Sequence, residues 1–197
     1  MADNGVNKGR RRLLLGATTV VGAVGAVGVA VPFVASWQPS ARARAAGAPV
    51  QADISKLEPG QRMTVEWRGR PVWIVMRTPD MIERTENFDP ARLADPDSQV
   101  QQQPAYVTGP LRSIRPEISV LIGICTHLGC SPLFRPNPDD VDMTAWPGGY
   151  FCPCHGSYFD LAGRVFRNVP APANLEVPPY RFESDDIIIV GEDEEAA

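Results

Sequence analysis

Histidine and cysteine are scarce in this chain of 197 residues, which contains two His and four Cys. All six lie between positions 125 and 155. Cysteines scattered along the chain would indicate core packing, and evenly spaced ones would indicate a disulfide framework. Six potential ligands in one short window instead predict a metal site.

The chain beyond the first 44 residues also lacks a net positive charge. Residues 1–44 hold six Lys and Arg against one Asp, whereas the remainder holds 13 Lys and Arg against 22 Asp and Glu. A protein that binds nucleic-acid phosphates needs a net positive charge, whereas the part of the chain beyond residue 44 has more acidic than basic residues. We therefore expect no nucleic-acid partner. The hydrophobic content of 44% argues against disorder, and the 20 prolines argue against long helices in the folded part.

The N-terminal region predicts a membrane anchor. Residues 1–12 are polar and basic, and residues 13–41 carry no charge. As a helix, residues 13–35 would span roughly 35 Å, which matches a bilayer core, whereas a cleaved secretory signal has an apolar region of about 7–15 residues. We therefore predict a transmembrane anchor at 13–37, with cleavage near residues 43–45 as the alternative.

A twin-arginine-like sequence, RRRLL, begins at Arg10 and resembles an export signal for folded proteins. The alternative is an ordinary positive flank on the cytoplasmic side of an anchor. Both interpretations place residues 1–12 in the cytoplasm and the bulk of the chain, beyond the anchor, in the periplasm, so we expect a single-pass protein of the inner membrane. Residues 38–52 are rich in Ala, Gly and Pro and predict a flexible hinge linker.

Beyond the linker, the sequence predicts an antiparallel all-β periplasmic domain over residues 53–197, with an inserted loop-rich unit at about 118–170. Short apolar runs there are separated by Pro, Gly and Asp. The predicted elements are a hairpin (63–67 and 71–76), a short helix (80–86), a buried strand (118–124), short strands (150–151, 158–161 and 164–166) and a closing strand (187–190).

Two short segments contain every Cys and His of the chain. Residues 125–130 read CTHLGC and residues 152–157 read CPCHGS. In an extended chain, alternate side chains lie on the same face, so Cys125 and His127 can bind the same metal centre. Adjacent residues 154 and 155 point apart, whereas Cys152 and His155 can converge if the chain turns at residue 153. Cys130 and Cys154 then remain available for each other.

Two metal centres are compatible with a set of two Cys and two His. A zinc site is one, although it leaves the remaining cysteine pair unexplained and its usual spacing places both His on a helix. The other is a 2Fe–2S cluster with two thiolates on one iron and two imidazoles on the other.

The two segments resemble the paired motifs of the Rieske iron–sulfur proteins. With the basic N-terminus, anchor and linker, the chain resembles the Rieske subunits of bacterial quinol–cytochrome c reductases, the cytochrome bc complexes. The resemblance implies one 2Fe–2S cluster in a Rieske-type antiparallel β-sandwich with an inserted cluster-binding subdomain, preceded by one transmembrane helix.

The resemblance also implies roles for individual residues. Cys125 and Cys152 would hold the inner iron, and His127 and His155 the outer iron, where they carry the chemistry. Cys130 and Cys154 would form a disulfide, which suits an extracytoplasmic compartment. Because two imidazoles replace two thiolates, the potential is raised above that of an all-cysteine cluster.

Two further cofactor-binding residues follow from the same resemblance. Ser157 would donate its hydroxyl to a bridging sulfide, with a simple turn hydroxyl as the alternative. Leu128 would lie at the tip beside the His ligands and contact the quinol pocket, with a packing role as the alternative.

The sequence departs from the family pattern at two positions. Phe159 stands where many members have a tyrosine that bonds a ligand sulfur, and the adjacent Tyr158 is expected to face elsewhere. Val169 stands where the family commonly has glycine, in a segment at 169–172 that resembles the proline loop covering the cluster.

The implied function is that of an electron-transfer subunit in a proton-translocating quinol–cytochrome c oxidoreductase. The cluster would take one electron from quinol, with a proton through a His ligand, and pass the electron to a c-type cytochrome. The expected partners are a cytochrome b subunit and a c-type cytochrome subunit in a dimeric complex. The alternatives are a subunit of another exported oxidase, of the arsenite-oxidase type, and a non-catalytic module that binds zinc.

Overall fold

The computed structural model of this chain describes Gly5 and residues 7–193. Residues 1–4 and Val6, which belong to the predicted cytoplasmic segment, lie outside the described residues. So do residues 194–197, the end of the predicted periplasmic domain. The chain divides into two units between Ala45 and Ala46, and each is described by itself.

The first unit is dominated by helix α1, Lys8–Ala35. The Asn7 side chain begins the helix by accepting a hydrogen bond from the Arg10 amide at 3.0 Å. None of its residues is buried, so its apolar surface has no partner within the described part of the chain. By length and composition α1 is a candidate membrane span, and an N-terminal signal sequence would pass the same test.

The observed boundaries differ slightly from the predicted anchor and linker. Helix α1 begins five residues before position 13 and ends two residues before position 37. A six-residue helix, α2 (Ala41–Ala46), and the first residues of strand β1 (Val50–Asp53) lie within the predicted linker at 38–52. Ordered backbone therefore occupies part of a segment whose composition predicted only a flexible connection.

The described residues of the second unit form three antiparallel sheets of three strands each. The strands are β2 (Arg62–Trp67), β3 (Arg70–Met76), β4 (Ile118–Ile122), β5 (Leu133–Arg135), β6 (Gly149–Cys152), β7 (Ser157–Asp160), β8 (Tyr180–Phe182) and β9 (Ile187–Val190), after β1. Their order is β1-β9-β8 in one sheet, β2-β3-β4 in the second and β5-β6-β7 in the third. The fold is thus all-β, as the sequence predicts.

One short helix and one 3₁₀ turn follow the hairpin of β2 and β3. Helix α3 (Pro79–Glu86) begins at Thr78, whose hydroxyl accepts from the Met81 amide, and a 3₁₀ turn spans Pro90–Arg92. Residues 93–117, which follow this turn, contain no strand.

The third sheet is the inserted unit that carries the two Cys/His segments. Strand β4 was predicted within that unit, yet it pairs with β3 and belongs to the second sheet. The strand predicted at 164–166 reduces to two isolated bridges, from Val165 to Phe159 and from Phe166 to Leu93. The ring of Trp73 in β3 stacks on that of Tyr150 in β6, with centroids 5.1 Å apart. This contact joins the core of the second sheet to the inserted unit.

A buried ion pair closes the end of β7. The Asp160 carboxylate accepts from Arg164 Nε at 2.6 Å, and also from the amides of Ala162 and Arg164. Arg164 Nη2 donates to the carbonyl of Thr85 in α3. The pair therefore fixes the chain that follows β7 against helix α3.

Candidate metal centre

Both Cys/His segments form loops at strand ends. The first loop, residues 125–130, lies between β4 and β5, and the second loop, residues 152–157, joins β6 to β7. Strands β4, β6 and β7 are largely buried, whereas the short strand β5 is partly exposed. The core therefore holds the start of the first loop and both ends of the second loop.

Each loop closes on itself through backbone hydrogen bonds. In the first, the Cys125 amide donates to the Cys130 carbonyl at 2.7 Å, and the Gly129 amide donates to the Cys125 carbonyl at 3.0 Å. In the second, the Gly156 amide donates to the Cys152 carbonyl at 3.0 Å. Gly129 and Gly156 have φ angles of +82° and +73°, which L side chains rarely adopt. Glycine therefore permits both turns.

A disulfide between Cys130 and Cys154 joins the two loops, and this prediction is confirmed. Their Sγ atoms and that of Cys152 all lie within 4.8 Å of one another. Since two of these three sulfurs are bonded to each other, the group is a disulfide packed on a thiol rather than a three-sulfur metal site. The disulfide therefore lies directly beside Cys152.

The two remaining cysteines are free, buried thiols, one from each loop. Cys125 and Cys152 are each 2% exposed. Burial raises the pKa of the Cys152 thiol, and a hydrogen bond with the Cys125 thiol raises it further. Two neighbouring thiols in the apolar core become thiolates when a metal ion binds them both.

The two imidazoles lie together on the outer side of the loops. The rings of His127 and His155 are perpendicular, with centroids 4.6 Å apart. His155 is exposed and His127 is half-buried. The buried Nδ1 atom of His127 has no hydrogen-bond partner among the described residues. An unpaired ring nitrogen facing inward is the arrangement that a metal ligand requires.

The donor set fits a 2Fe–2S cluster. Two buried thiols and two outer imidazoles supply the two kinds of ligand that such a centre uses on its two irons. The candidates for those ligands are the four residues predicted, Cys125, Cys152, His127 and His155. The disulfide takes up the other two cysteines, which a zinc site would leave unexplained.

The segment at 169–173 is bonded to both loops. The amide of Ala171 donates to the Ser157 hydroxyl at 3.1 Å, and the Thr126 hydroxyl donates to the Ala173 carbonyl at 2.6 Å. Ser157 is 1% exposed, and its hydroxyl proton stays available to an acceptor inside the site. The contact made by Thr126 was not predicted, because nothing in the sequence pairs it with position 173.

Successive side chains of β7 point to opposite faces of the strand, as expected. Phe159 is fully buried in the main core, while Tyr158 stacks on Phe151 with ring centroids 4.9 Å apart in a separate apolar cluster. The Tyr158 phenol therefore faces away from the loops and does not replace the tyrosine expected at position 159. Leu128 is 71% exposed, so a buried packing role within the described unit is wrong.

Two family models match the chain. The model described as "Rieske [2Fe-2S] domain" matches residues 49–180, and that described as "Ubiquitinol-cytochrome C reductase Fe-S subunit TAT signal" matches residues 1–40. Together with the apolar helix α1, the second match indicates a membrane-anchored, exported domain.

Curated relatives match nearly the whole chain. It is 60% identical to the ubiquinol-cytochrome c reductase iron-sulfur subunit of Allochromatium vinosum, over 100% of this chain and 95% of that protein. It is 41% identical to the protein of the same name from Bradyrhizobium diazoefficiens, over 92% and 94%. It is also 41% identical to the mitochondrial cytochrome b-c1 complex subunit Rieske of Pongo pygmaeus, over 93% of this chain and 60% of that protein.

Proposed function

The chain belongs to the Rieske [2Fe-2S] family, and on this premise we propose that it is the electron-transfer subunit of a membrane quinol–cytochrome c reductase. The observation that carries the proposal is the identity of 60% over the full length to a protein named for that reaction. The set of two thiols and two imidazoles on joined loops supplies the matching chemistry. A subunit of an arsenite-oxidase type enzyme is not favoured, since the relatives bear the name of the quinol enzyme.

Each of the two loops supplies one cysteine and one histidine as proposed ligands of the cluster. We assign Cys125 and Cys152 to the inner iron, because both thiols are buried. We assign His127, through its inward Nδ1, and His155 to the outer iron, because these rings lie toward solvent. When bound, the cluster supplies a one-electron carrier whose potential is raised by imidazole ligation.

The two histidines also handle the proton that quinol releases with its electron. Ligation of His127 through Nδ1 leaves Nε2 to carry a proton, and exposed His155 offers the same possibility at the surface. A quinol hydroxyl that reaches the exposed tip can hydrogen-bond to such a nitrogen. His155 and His127 are therefore the proposed catalytic residues.

Leu128 and Ser157 act on either side of the ligands. Leu128 stands exposed next to His127 in the first loop and offers an apolar contact to the surface that delivers quinol. Ser157 is held by the Ala171 amide in a position to donate its proton toward the cluster sulfurs. Such a donation stabilises the reduced centre and raises its potential.

The partners proposed are a cytochrome b subunit, where quinol is oxidised, and a c-type cytochrome subunit, which accepts the electron. Residues 38–52 would act as the hinge on which the domain moves between them, in a dimeric complex. We place the N-terminus in the cytoplasm, helix α1 in the inner membrane and the β domain in the periplasm. The Arg-rich segment before α1 supports this orientation.

The test is purification of the chain from membranes with its partners. We expect haem-containing subunits to co-purify, a Rieske-type EPR signal, and quinol-dependent reduction of cytochrome c. Isolation of the chain without haem proteins, or a complex that does not oxidise quinol, would contradict the proposal.

The hinge has its own experiment. Prolines substituted at residues 43–48 should slow turnover while the EPR signal stays intact, because a stiff connection restricts domain movement. A proline introduced instead at exposed position 101 serves as the control. Unchanged turnover in the hinge variant argues against a mobile domain.

A further inference from the structure

The side chain of Trp73 contacts both of the strands that lead into the Cys/His loops. Trp73 lies in β3, the central strand of the second sheet, and is 3% exposed. Its indole packs against Gly123, which directly follows β4, and against Tyr150, which lies in β6. Each of these two neighbours stands two residues before a free thiol, Cys125 in the first loop and Cys152 in the second. One aromatic ring therefore contacts the same position relative to both thiols.

The contact with Gly123 leaves no room for a side chain at that position. A Cβ atom placed on Gly123 would overlap Cε2 of Trp73 and would lie 2.6 Å from Cζ2 and from Nε1. Such an atom would be nearer to Cε2 than to either of these two atoms bonded to it, whereas an approach to the edge of the ring would reverse that order. The face of the indole therefore lies against the backbone of Gly123.

The backbone of Gly123 is itself held to β3. Its amide donates to the Pro71 carbonyl at 2.8 Å, which continues the pairing of β4 with β3 past Ile122. The φ angle of Gly123 lies outside the left-handed region, so an alanine there would meet no backbone strain. The indole, and not the backbone conformation, is what restricts this position to glycine.

The contact with Tyr150 reaches the second loop in a corresponding way. The rings of Trp73 and Tyr150 stack with centroids 5.1 Å apart and planes 13° apart. Tyr150 is fully buried in β6, which is the central strand of the third sheet. Alternate residues of a strand share a face, so Tyr150 and Cys152 project from the same side of β6. The stacking therefore acts on the side of β6 that presents the Cys152 thiol.

The two thiols are close enough to form a hydrogen bond with each other. The spacing of the loops at this point is therefore the spacing of the two sulfurs assigned to the inner iron, Cys125 and Cys152. A metal centre binds well only when its ligands are held within about 0.5 Å of the required geometry by packed side chains behind them. The indole of Trp73 is the packed side chain that contacts both strands behind these sulfurs.

We propose that Trp73 is a positioning residue that sets the separation of the Cys125 and Cys152 sulfurs, through its contacts with Gly123 and Tyr150. The inference rests on the proposed function, because that function assigns the two thiols as ligands. Trp73 acts through the two strands, since its own ring contacts the residues that precede the ligands. The side chain at position 73 therefore affects the geometry of the metal centre as well as the stability of the fold.

Trp67 provides an internal comparison, since it is a buried indole with similar packing elsewhere. It is also 3% exposed, and a Cβ atom on Gly191 would overlap its Nε1. Trp67 pairs with Arg70 and therefore shares its face, and positions 70 and 73 of β3 lie on opposite faces of the strand. Gly191 directly follows β9 of the first sheet. Trp67 thus packs toward the first sheet, whereas Trp73 packs toward the third sheet that carries the second loop.

The test compares Trp73→Phe with Trp67→Phe in the full-length holoprotein. Both changes remove the same atoms from a buried indole, so both should lower Tm. Only Trp73→Phe should also change the g values of the cluster EPR signal and shift the midpoint potential. Side chains that orient metal ligands contribute about 10–100-fold to metal affinity. We therefore expect loss of iron to EDTA to be about 10-fold faster in Trp73→Phe than in Trp67→Phe.

A second variant tests the same contact while the indole is retained. Gly123→Ala adds one methyl group that must displace the ring of Trp73, so it should alter the EPR signal and speed the loss of iron. Added to Trp73→Phe, the same change should have a smaller effect, because part of the ring that it displaces is already gone. Since Gly123→Ala keeps Trp73, it tests the proposal even where Trp73→Phe does not fold.

Three results would overturn the proposal. One is a Trp73→Phe holoprotein whose EPR signal, potential and iron retention equal those of the wild type. Another is an equal change of these properties in Trp67→Phe, which would show that any loss of core packing suffices. The third is a Gly123→Ala effect that is independent of the residue at position 73. A wild-type protein without a Rieske-type EPR signal would overturn the proposed function together with this inference.

Discussion

The buried ion pair at the end of β7 offers a direct test of how the site is supported. Asp160 is fully buried, and its two oxygens accept from Arg164 Nε, the Arg164 amide and the Ala162 amide. Asp160→Asn keeps the size of the side chain but replaces one acceptor oxygen by an NH2 group. It also leaves the guanidinium of Arg164, which is 4% exposed, without its counter-charge.

The expected loss of stability is large because both charges lie in the interior. Removing one partner of a buried ion pair costs about 3–5 kcal/mol, which corresponds to a fall in Tm of roughly 6–20 °C for a domain of this size. Because Asp160 lies three residues after Ser157, we also expect the cluster to be lost at the lower temperature.

The matched control is Asp80→Asn. Asp80 pairs with Arg84 at the same spacing of four residues, but its carboxylate is 74% exposed. Exposed pairs contribute about 0–1 kcal/mol, so Tm should change little. Both variants are measured by circular dichroism and by cluster absorbance at one scan rate. Equal Tm shifts in the two variants would refute the reasoning.

Three further predictions follow from the loops. Ser157→Ala should lower the midpoint potential in an EPR-monitored redox titration, and an unchanged potential would exclude hydrogen bonding to the cluster by this hydroxyl. Replacing both Cys130 and Cys154 by alanine opens a link across 24 residues, which should reduce stability by about 3.5 kcal/mol in chemical denaturation. Thr126→Val removes the donor to the Ala173 carbonyl and should cost about 1–3 kcal/mol, while an isostable variant would show that this bond contributes nothing.

Some strands were predictable because their patterns are local. The hairpin of β2 and β3 follows from alternation on either side of a turn, and β4 and β9 follow from continuous apolar runs. Strands β5 and β8 have three residues each, too few to show a period of two. Strand β1 was not predicted, because it lies in a segment whose composition is that of a linker. Its pairing with β9 is what orders this segment as a strand.

The candidate site shows the same division. The sequence places all Cys and His in two motifs, and the resemblance of these motifs to those of the Rieske proteins implied the cofactor class and the disulfide pair. It did not reveal that Thr126 and Ser157 both bond to the segment at 169–173, since these contacts join residues 14 to 47 positions apart.

The sequence by itself determined the kind of centre, through two motifs that resemble those of a known family, and the apolar N-terminal helix, because each depends on residues that lie close together in the chain. Only the tertiary structure decided that Leu128 is exposed and that Tyr158 faces away from the loops. Because Cys and His are scarce, the two motifs that contain all of them are easy to recognise. Packing between strands distant in sequence determines which atoms lie close enough to bond, and no local pattern encodes that distance.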